Sequence, residues 1–387
     1  MSEKAKVLTA GLLSLIVTVG VARFAYTPLL PIMQSQTWLD EANGGYLAAV
    51  NYLGYMLGAL IAARVSSLTL KDQLYRVYLL VAVLSTVAMA LTDALEWWLV
   101  FRFVAGVSSS GGLLLASGLI LNWLLRHQYR SELGIHFAGV GGGIFVAGLL
   151  VELFLALNLS WQAQWWAFGI FAALASVLAW CWMPKPESAE SLATGVKLQD
   201  RPPSNVYFWV LFAAYFCAGY GYVITATFIV DIVEQQPSLQ GLGPWVFVVL
   251  GCAAMPAVVV WDLIARRVGD VNALLLIYLI QVPGILLPAF TDQLLWVLIS
   301  ALLFGGTFIG AVSLVLTMAG RFYPTKPAKL MGKMTLAYGA AQVVAPALTG
   351  VLAQHFGNYH LGLYLAAGFV VLGALLVAML KRVPQYA

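Results

Sequence analysis

Apolar runs long enough to cross a bilayer follow one another along nearly the whole chain, separated only by short segments containing Gly, Pro or clustered charge. A membrane-spanning helix needs about 20 apolar residues, and in lipid every backbone N–H and C=O must find its partner inside the protein. Only 9% of the 387 residues are charged, against about 25% in soluble domains, so too few are available to cover a water-exposed surface. Disorder and nucleic-acid binding are excluded on the same ground. The chain reads as an all-α membrane protein with twelve transmembrane helices, near 7–33, 43–64, 75–95, 97–122, 132–157, 161–183, 207–233, 243–263, 271–291, 294–318, 331–354 and 361–380. The first run exceeds a signal-peptide core and ends in Pro28-Leu-Leu-Pro31, so it reads as a span that stays.

The longest connection, 184–206, is charged and contains Pro and Ser. It reads as a linker between an N-terminal bundle (1–183) and a C-terminal bundle (207–387), each of six helices. Of the 20 Lys and Arg, all but Arg23 and Arg102 fall on one side when the N-terminus is placed in the cytoplasm. Asp40, Glu41, Asp93, Glu96, Glu234 and Asp292 fall on the other. By the positive-inside rule this predicts both termini and the linker in the cytoplasm. The net charge of +4 is then a sign of topology and needs no acidic partner.

An offset of 199 residues brings the halves into weak register. Gly20 meets Gly219; Leu99, Gly106 and Gly111 meet Leu298, Gly305 and Gly310; Ala138 meets Ala337; Gly169 meets Gly368. Two pseudo-symmetric six-helix repeats suit a carrier that exposes a central site to each side in turn.

Several stretches carry a resemblance. Arg102-Phe-Val-Ala-Gly106, with twelve helices in two halves, resembles the major facilitator superfamily. More narrowly, Gly20-Val-Ala-Arg23-Phe-Ala-Tyr-Thr-Pro28-Leu-Leu-Pro31, Gly45-Tyr-Leu-Ala-Ala-Val-Asn51-Tyr-Leu-Gly54-Tyr55, Phe137-Ala-Gly-Val-Gly141-Gly-Gly-Ile144 and Tyr220-Gly-Tyr-Val-Ile-Thr-Ala-Thr227-Phe resemble the bacterial YbfB/YjiJ-type branch. The resemblance implies a secondary transporter and supplies no ligand. The superfamily's Gly-x-x-x-Asp-Arg-x-Gly turn is altered: its acid is replaced by Ala63 before Arg64, and by Arg266 before Arg267. Asp262, one turn before Arg266, could pair with it. Arg64, Asp262, Arg266 and Arg267 are the candidate gating residues.

Ionisable groups within the membrane are costly and mark function or pairing. Arg23 offers a permanent charge and a planar fork suited to carboxylate or phosphate, or it caps carbonyls freed by Pro28. Arg102 and Glu152, expected at similar depth on adjacent helices, read as an ion pair or a proton-coupling pair. Shifted by 199, Arg23 matches Tyr222, Arg102 matches Ala301 and Glu152 matches Val351, so the first half holds the charge and the second supplies rings and hydroxyls. Candidate substrate contacts are Arg23, Tyr26, Asn51, Tyr55, Tyr222, Thr225, Tyr338 and Gln342, each of which could equally serve helix packing. His136 reads as wetted near a helix end, and Cys181, Cys217 and Cys252 as packing residues.

Nothing in the pattern calls for a cofactor, a metal, a catalytic site, nucleic acid or an obligatory protein partner. The expected partners are a small-molecule solute, protons and the lipid bilayer. The leading expectation is an inner-membrane, proton-coupled carrier of a small organic anion or carboxylate. Two alternatives stay open: a proton-driven exporter of lipophilic or cationic compounds, with Glu152 or Asp231 attracting the cation, and a non-transporting scaffold or sensor.

Overall fold

A computed structural model describes residues 1–129, 133–186, 200–323 and 328–386. The body of the expected linker, with Ser191 and Lys197, lies outside the described residues, as do Arg130 and Lys326. In chain order the described helices are α1 (Glu3–Gln36), α2 (Glu41–Arg64), α3 (Leu68–Ala88), α4 (Leu95–Ser110 continuing to Arg126), α5 (Leu133–Ala156) and α6 (Trp161–Trp182). The second half has α7 (Asn205–Glu234), α8 (Gly243–Val268), α9 (Asp270–Phe290), α10 (Leu294–Phe322), α11 (Ala328–Phe356) and α12 (His360–Leu380).

Eleven of these are long and apolar enough to cross a membrane. The exception, α3, carries Lys71, Asp72 and Arg76 in its first turns. It begins seven residues earlier than hydropathy predicts, because Ser67 caps it by accepting from the Leu70 N–H and Arg76 pairs with Asp72 along the helix at 3.0 Å. Capping and i,i+4 pairing start helices that an apolar window misses. Of the cysteines only Cys217 is buried; Cys181 and Cys252 lie on exposed faces.

The same packing recurs in each half. Within the first, α1 lies on α5 and α6, α2 on α4, and α3 on α4 and α6; within the second, α7 lies on α11 and α12, α8 on α10, and α9 on α10 and α12. Between the halves α2 packs along α11 and α5 along α8, contacts that exchange under a two-fold rotation. One crossing repeats at residue level. A Cβ on Gly106 would stand 1.9 Å from the Asn51 carbonyl, and one on Gly305 would stand 2.3 Å from that of Leu250. Both partners are separated by the same 199 residues. Association in lipid has no hydrophobic drive, so backbones must approach closely to gain packing, and only Gly permits these two approaches.

Gly106→Ala and Gly305→Ala should therefore each lower stability by about 1–3 kcal/mol, the usual cost of overpacking. Gly306→Ala should be neutral, since a Cβ there meets nothing within 4 Å. Melting of the purified variants in one detergent checks both.

Candidate functional site

The site begins with a distortion of α1. From Ile16 to Phe24 the helix widens to i→i−5 bonding, and the Ala25 N–H reaches the Gly20 carbonyl at 2.8 Å. Gly20 lies against Gly143 of α5, and Pro28 and Pro31, which donate no N–H, follow in the next turns. Such a segment leaves carbonyls seeking donors. Arg102 supplies them: its guanidinium donates to the Ala22 carbonyl at 3.1 Å and the Arg23 carbonyl at 3.3 Å, and it lies over the Tyr26 ring at 4.4 Å. The amide of Asn51 in turn donates to the Arg102 carbonyl at 2.8 Å.

With its backbone held, Arg23 turns its side chain inward. Its guanidinium sits 4.4 Å from the Tyr52 ring centre and 5.0 Å from that of Tyr55, and donates to the Tyr222 hydroxyl of α7 at 3.3 Å. It is 8% exposed and its Nε has no partner. It borders a cavity of about 480 Å³ between the halves, within the size range of small-molecule sites. Tyr55, Tyr222, Tyr338 and Gln342 line the same cavity, and the Gln342 Oε1 is buried without a partner. Among the described lining residues Arg23 is the single charged one.

The cavity reaches one end of the bundle, where Leu133, Thr317 and Met331 line it. This is the end that holds the N-terminus and the clustered Lys and Arg, and is called here the basic end. Toward the opposite, acidic end it is closed. Thr27 donates to the Ala226 carbonyl at 2.9 Å, and the Tyr52 and Thr227 hydroxyls meet at 3.4 Å. Beyond them Gly45 and Gly350 bring α2 against α11, and Gln354 donates to Asp40 at 2.9 Å.

Other expectations need correction. Tyr26, Asn51 and Thr225 do not line the cavity. Tyr26 donates to the Gly44 carbonyl, Asn51 holds α4, and the Thr225 hydroxyl is buried without a partner. Arg102 and Glu152 form no ion pair: Arg102 is committed to α1, and the Glu152 Oε1 is unpartnered. Arg102 performs the carbonyl capping considered for Arg23. His136 is buried, not wetted, and meets the Ser117 hydroxyl at 2.9 Å. Asp262 does pair with Arg266 at 2.7 Å on the exposed end of α8; Arg267 is exposed beside them, and Arg64 is exposed at the end of α2.

Sequence reasoning missed Tyr52, Tyr215 and Phe308. Helical spacing could have found the latter two, since Tyr215 lies two turns before Tyr222 on one face of α7, and Phe308 one turn after Phe304. It also passed over the setting of Asp231, which is buried at the acidic end with the Tyr359 hydroxyl bonded to it and borders a second cavity with Gln34 and Glu234.

The comparisons with known proteins fit this geometry. The fold is similar to the crystal structure of nucleoside transporter NupG, with a TM-score of 0.74 at 12% identity over 99% of this chain and 100% of that one. The hexuronate transporter of Bacillus subtilis is 23% identical over 93% of this chain and 90% of its own length. The niacin transporter NiaP of Acinetobacter baylyi is 24% identical over 41% of this chain, which spans only 35% of that relative. Residues 15–378 match the model of the family described as "Uncharacterised MFS-type transporter YbfB", and the chain belongs to that family.

Proposed function

We propose that the protein is a proton-coupled secondary transporter of a small organic anion, working by alternating access. In this reading it crosses the inner membrane of a bacterium twelve times, α3 included, with both termini and the 184–206 linker in the cytoplasm. The bundles 1–183 and 207–387 are the moving bodies. The basic end then faces the cytoplasm by the positive-inside rule, and the cavity is open inward. Arg64, Asp262, Arg266 and Arg267 lie at the basic ends of α2 and α8, where they would act as gating charges.

The observation that carries the anion is Arg23 as the lone charge among the described lining residues. A guanidinium in the cavity wall offers a desolvated anion a fixed counter-charge. Niacin and hexuronate, the solutes in two relatives' names, are both carboxylic acids, which supports the reading. The cation-exporter alternative has no such support, because neither Glu152 nor Asp231 lines this cavity. Glu152 and Asp231 remain the carboxyls available for proton coupling, and Asp231 is the better placed: buried on α7 beside Gln34 of α1, at the end that must open.

Three outcomes test these points. In a chain stripped of its native cysteines, Ser191→Cys should resist a membrane-impermeant maleimide in intact cells and react after lysis. In proteoliposomes with an identified anionic substrate, Arg23→Gln should lose about 30- to 150-fold in affinity, the worth of a charge-assisted bond in a partly dry site; Arg23→Lys should fall between. Asp231→Asn should abolish accumulation driven by a proton gradient while leaving substrate exchange intact, and an intact gradient response would remove Asp231 from coupling.

A further inference from the structure

The wall that the second half presents to Arg23 is a row of aromatic rings, each stacked on the next. Tyr215 and Tyr338 have ring centres 4.6 Å apart and planes within 30°. Tyr338 and Tyr222 follow at 5.7 Å and 27°, and Tyr222 and Phe308 at 5.1 Å and 23°. All four rings line the cavity. They come from α7, α10 and α11, so the stacking is a property of the assembled site and not of one helix. Arg23 donates to the hydroxyl of Tyr222, near the middle of the row.

From this juxtaposition we propose that the cavity selects flat aromatic monocarboxylates, with the carboxylate on Arg23 and the ring packed edge-to-face against the Tyr215–Tyr338–Tyr222–Phe308 row. The inference rests on the anion reading above and narrows it. Edge-to-face contact with these rings rewards a planar aromatic guest over a saturated one of equal size. One buried guanidinium neutralises one carboxylate, so a dianion would leave a charge uncompensated in a nearly dry site. Sugar acids are disfavoured for a different reason. Much of the remaining wall is apolar, including Val19, Phe137, Val140, Val258 and Ile309, and its polar groups are the hydroxyls of four tyrosines and of Ser117, Ser313, Thr317 and Thr335 with the Gln342 amide. A sugar acid would have to match every one of its hydroxyls to this limited set, and each one left unmatched against the apolar wall is costly.

The test is binding to the purified full-length protein in nanodiscs, read by calorimetry, with four probes. Benzoate has both ring and charge, cyclohexanecarboxylate has the charge without the π-face, benzamide has the ring without the charge, and glucuronate is a sugar acid. Benzoate should bind about 3- to 10-fold more tightly than cyclohexanecarboxylate, the range that an edge-to-face contact supplies, and benzamide and glucuronate should be weaker still. Tyr338→Phe should keep the preference for benzoate and Tyr338→Leu should erase it, with unliganded melting temperatures confirming that both fold. Equal binding of benzoate and cyclohexanecarboxylate, tighter binding of glucuronate, or no binding of benzoate would overturn the aromatic inference while leaving an anion carrier possible. Benzamide binding as tightly as benzoate would overturn the proposal at its other root, the anion reading itself.

Discussion

The carbonyls of Ala22 and Arg23 need a donor that α1 cannot provide, and the site depends on how that need is met. A helix widened in a membrane leaves polar backbone groups that no water can reach. Arg102 reaches across from α4 and satisfies both, while Asn51 pins the carbonyl of Arg102 from α2. Three helices are thus tied at one depth by a cation that faces backbone instead of ligand. Removing the fork would leave the widened turn unsupported and Arg23 without a fixed direction. Arg102 is in this sense a positioning residue, and the inward-facing charge of Arg23 is its consequence.

The second constraint is the two-fold relation of the halves. Positions equivalent under such a rotation touch where the axis passes, so Arg23 meets Tyr222 and Thr27 meets Ala226, each pair 199 residues apart. These contacts lie between α1 and α7, on the side of the cavity that closes toward the acidic end. The contacts that hold the acidic end shut, Gly45 and Gly350 between α2 and α11, have a counterpart in α5 on α8, where Gly141 and Gly251 make a similarly close approach.

Much of this was legible in the sequence. Helix positions followed from hydropathy because the bilayer leaves the backbone few choices, and the 199-residue offset already aligned Arg23 with Tyr222 and Gly106 with Gly305. The Asp262–Arg266 pair was readable because it needs only i,i+4 spacing on one helix. What failed needed knowledge of rotation and of backbone demand. Glu152 was matched to Arg102 because opposite charges at similar depth attract, yet the open carbonyls of α1 were the nearer acceptors. Tyr26, Asn51 and Thr225 have the chemistry of ligand contacts but face other helices, and one residue of rotation about a helix axis turns a side chain by about 100°. Tyr52 was missed because an aromatic ring in an apolar run carries no signal until a cation is found above it. The early start of α3 was missed because its charges are satisfied locally.

In the proposed anion carrier, the hydrogen bond from Arg23 to Tyr222 would join substrate chemistry to the motion of the halves. It crosses between α1 and α7, and its donor is the group an anion would seek. At 3.3 Å and with a neutral acceptor it is a weak claim on a guanidinium; a carboxylate makes shorter, charge-assisted bonds to the same fork. An anion that takes Arg23 therefore competes with a contact that ties the two halves together. A ligand shifts a conformational equilibrium only by the difference in its interactions with the two states. Here that difference can arise at the binding group itself, because the position on Arg23 now held by Tyr222 can be taken by an anion only by loosening the junction.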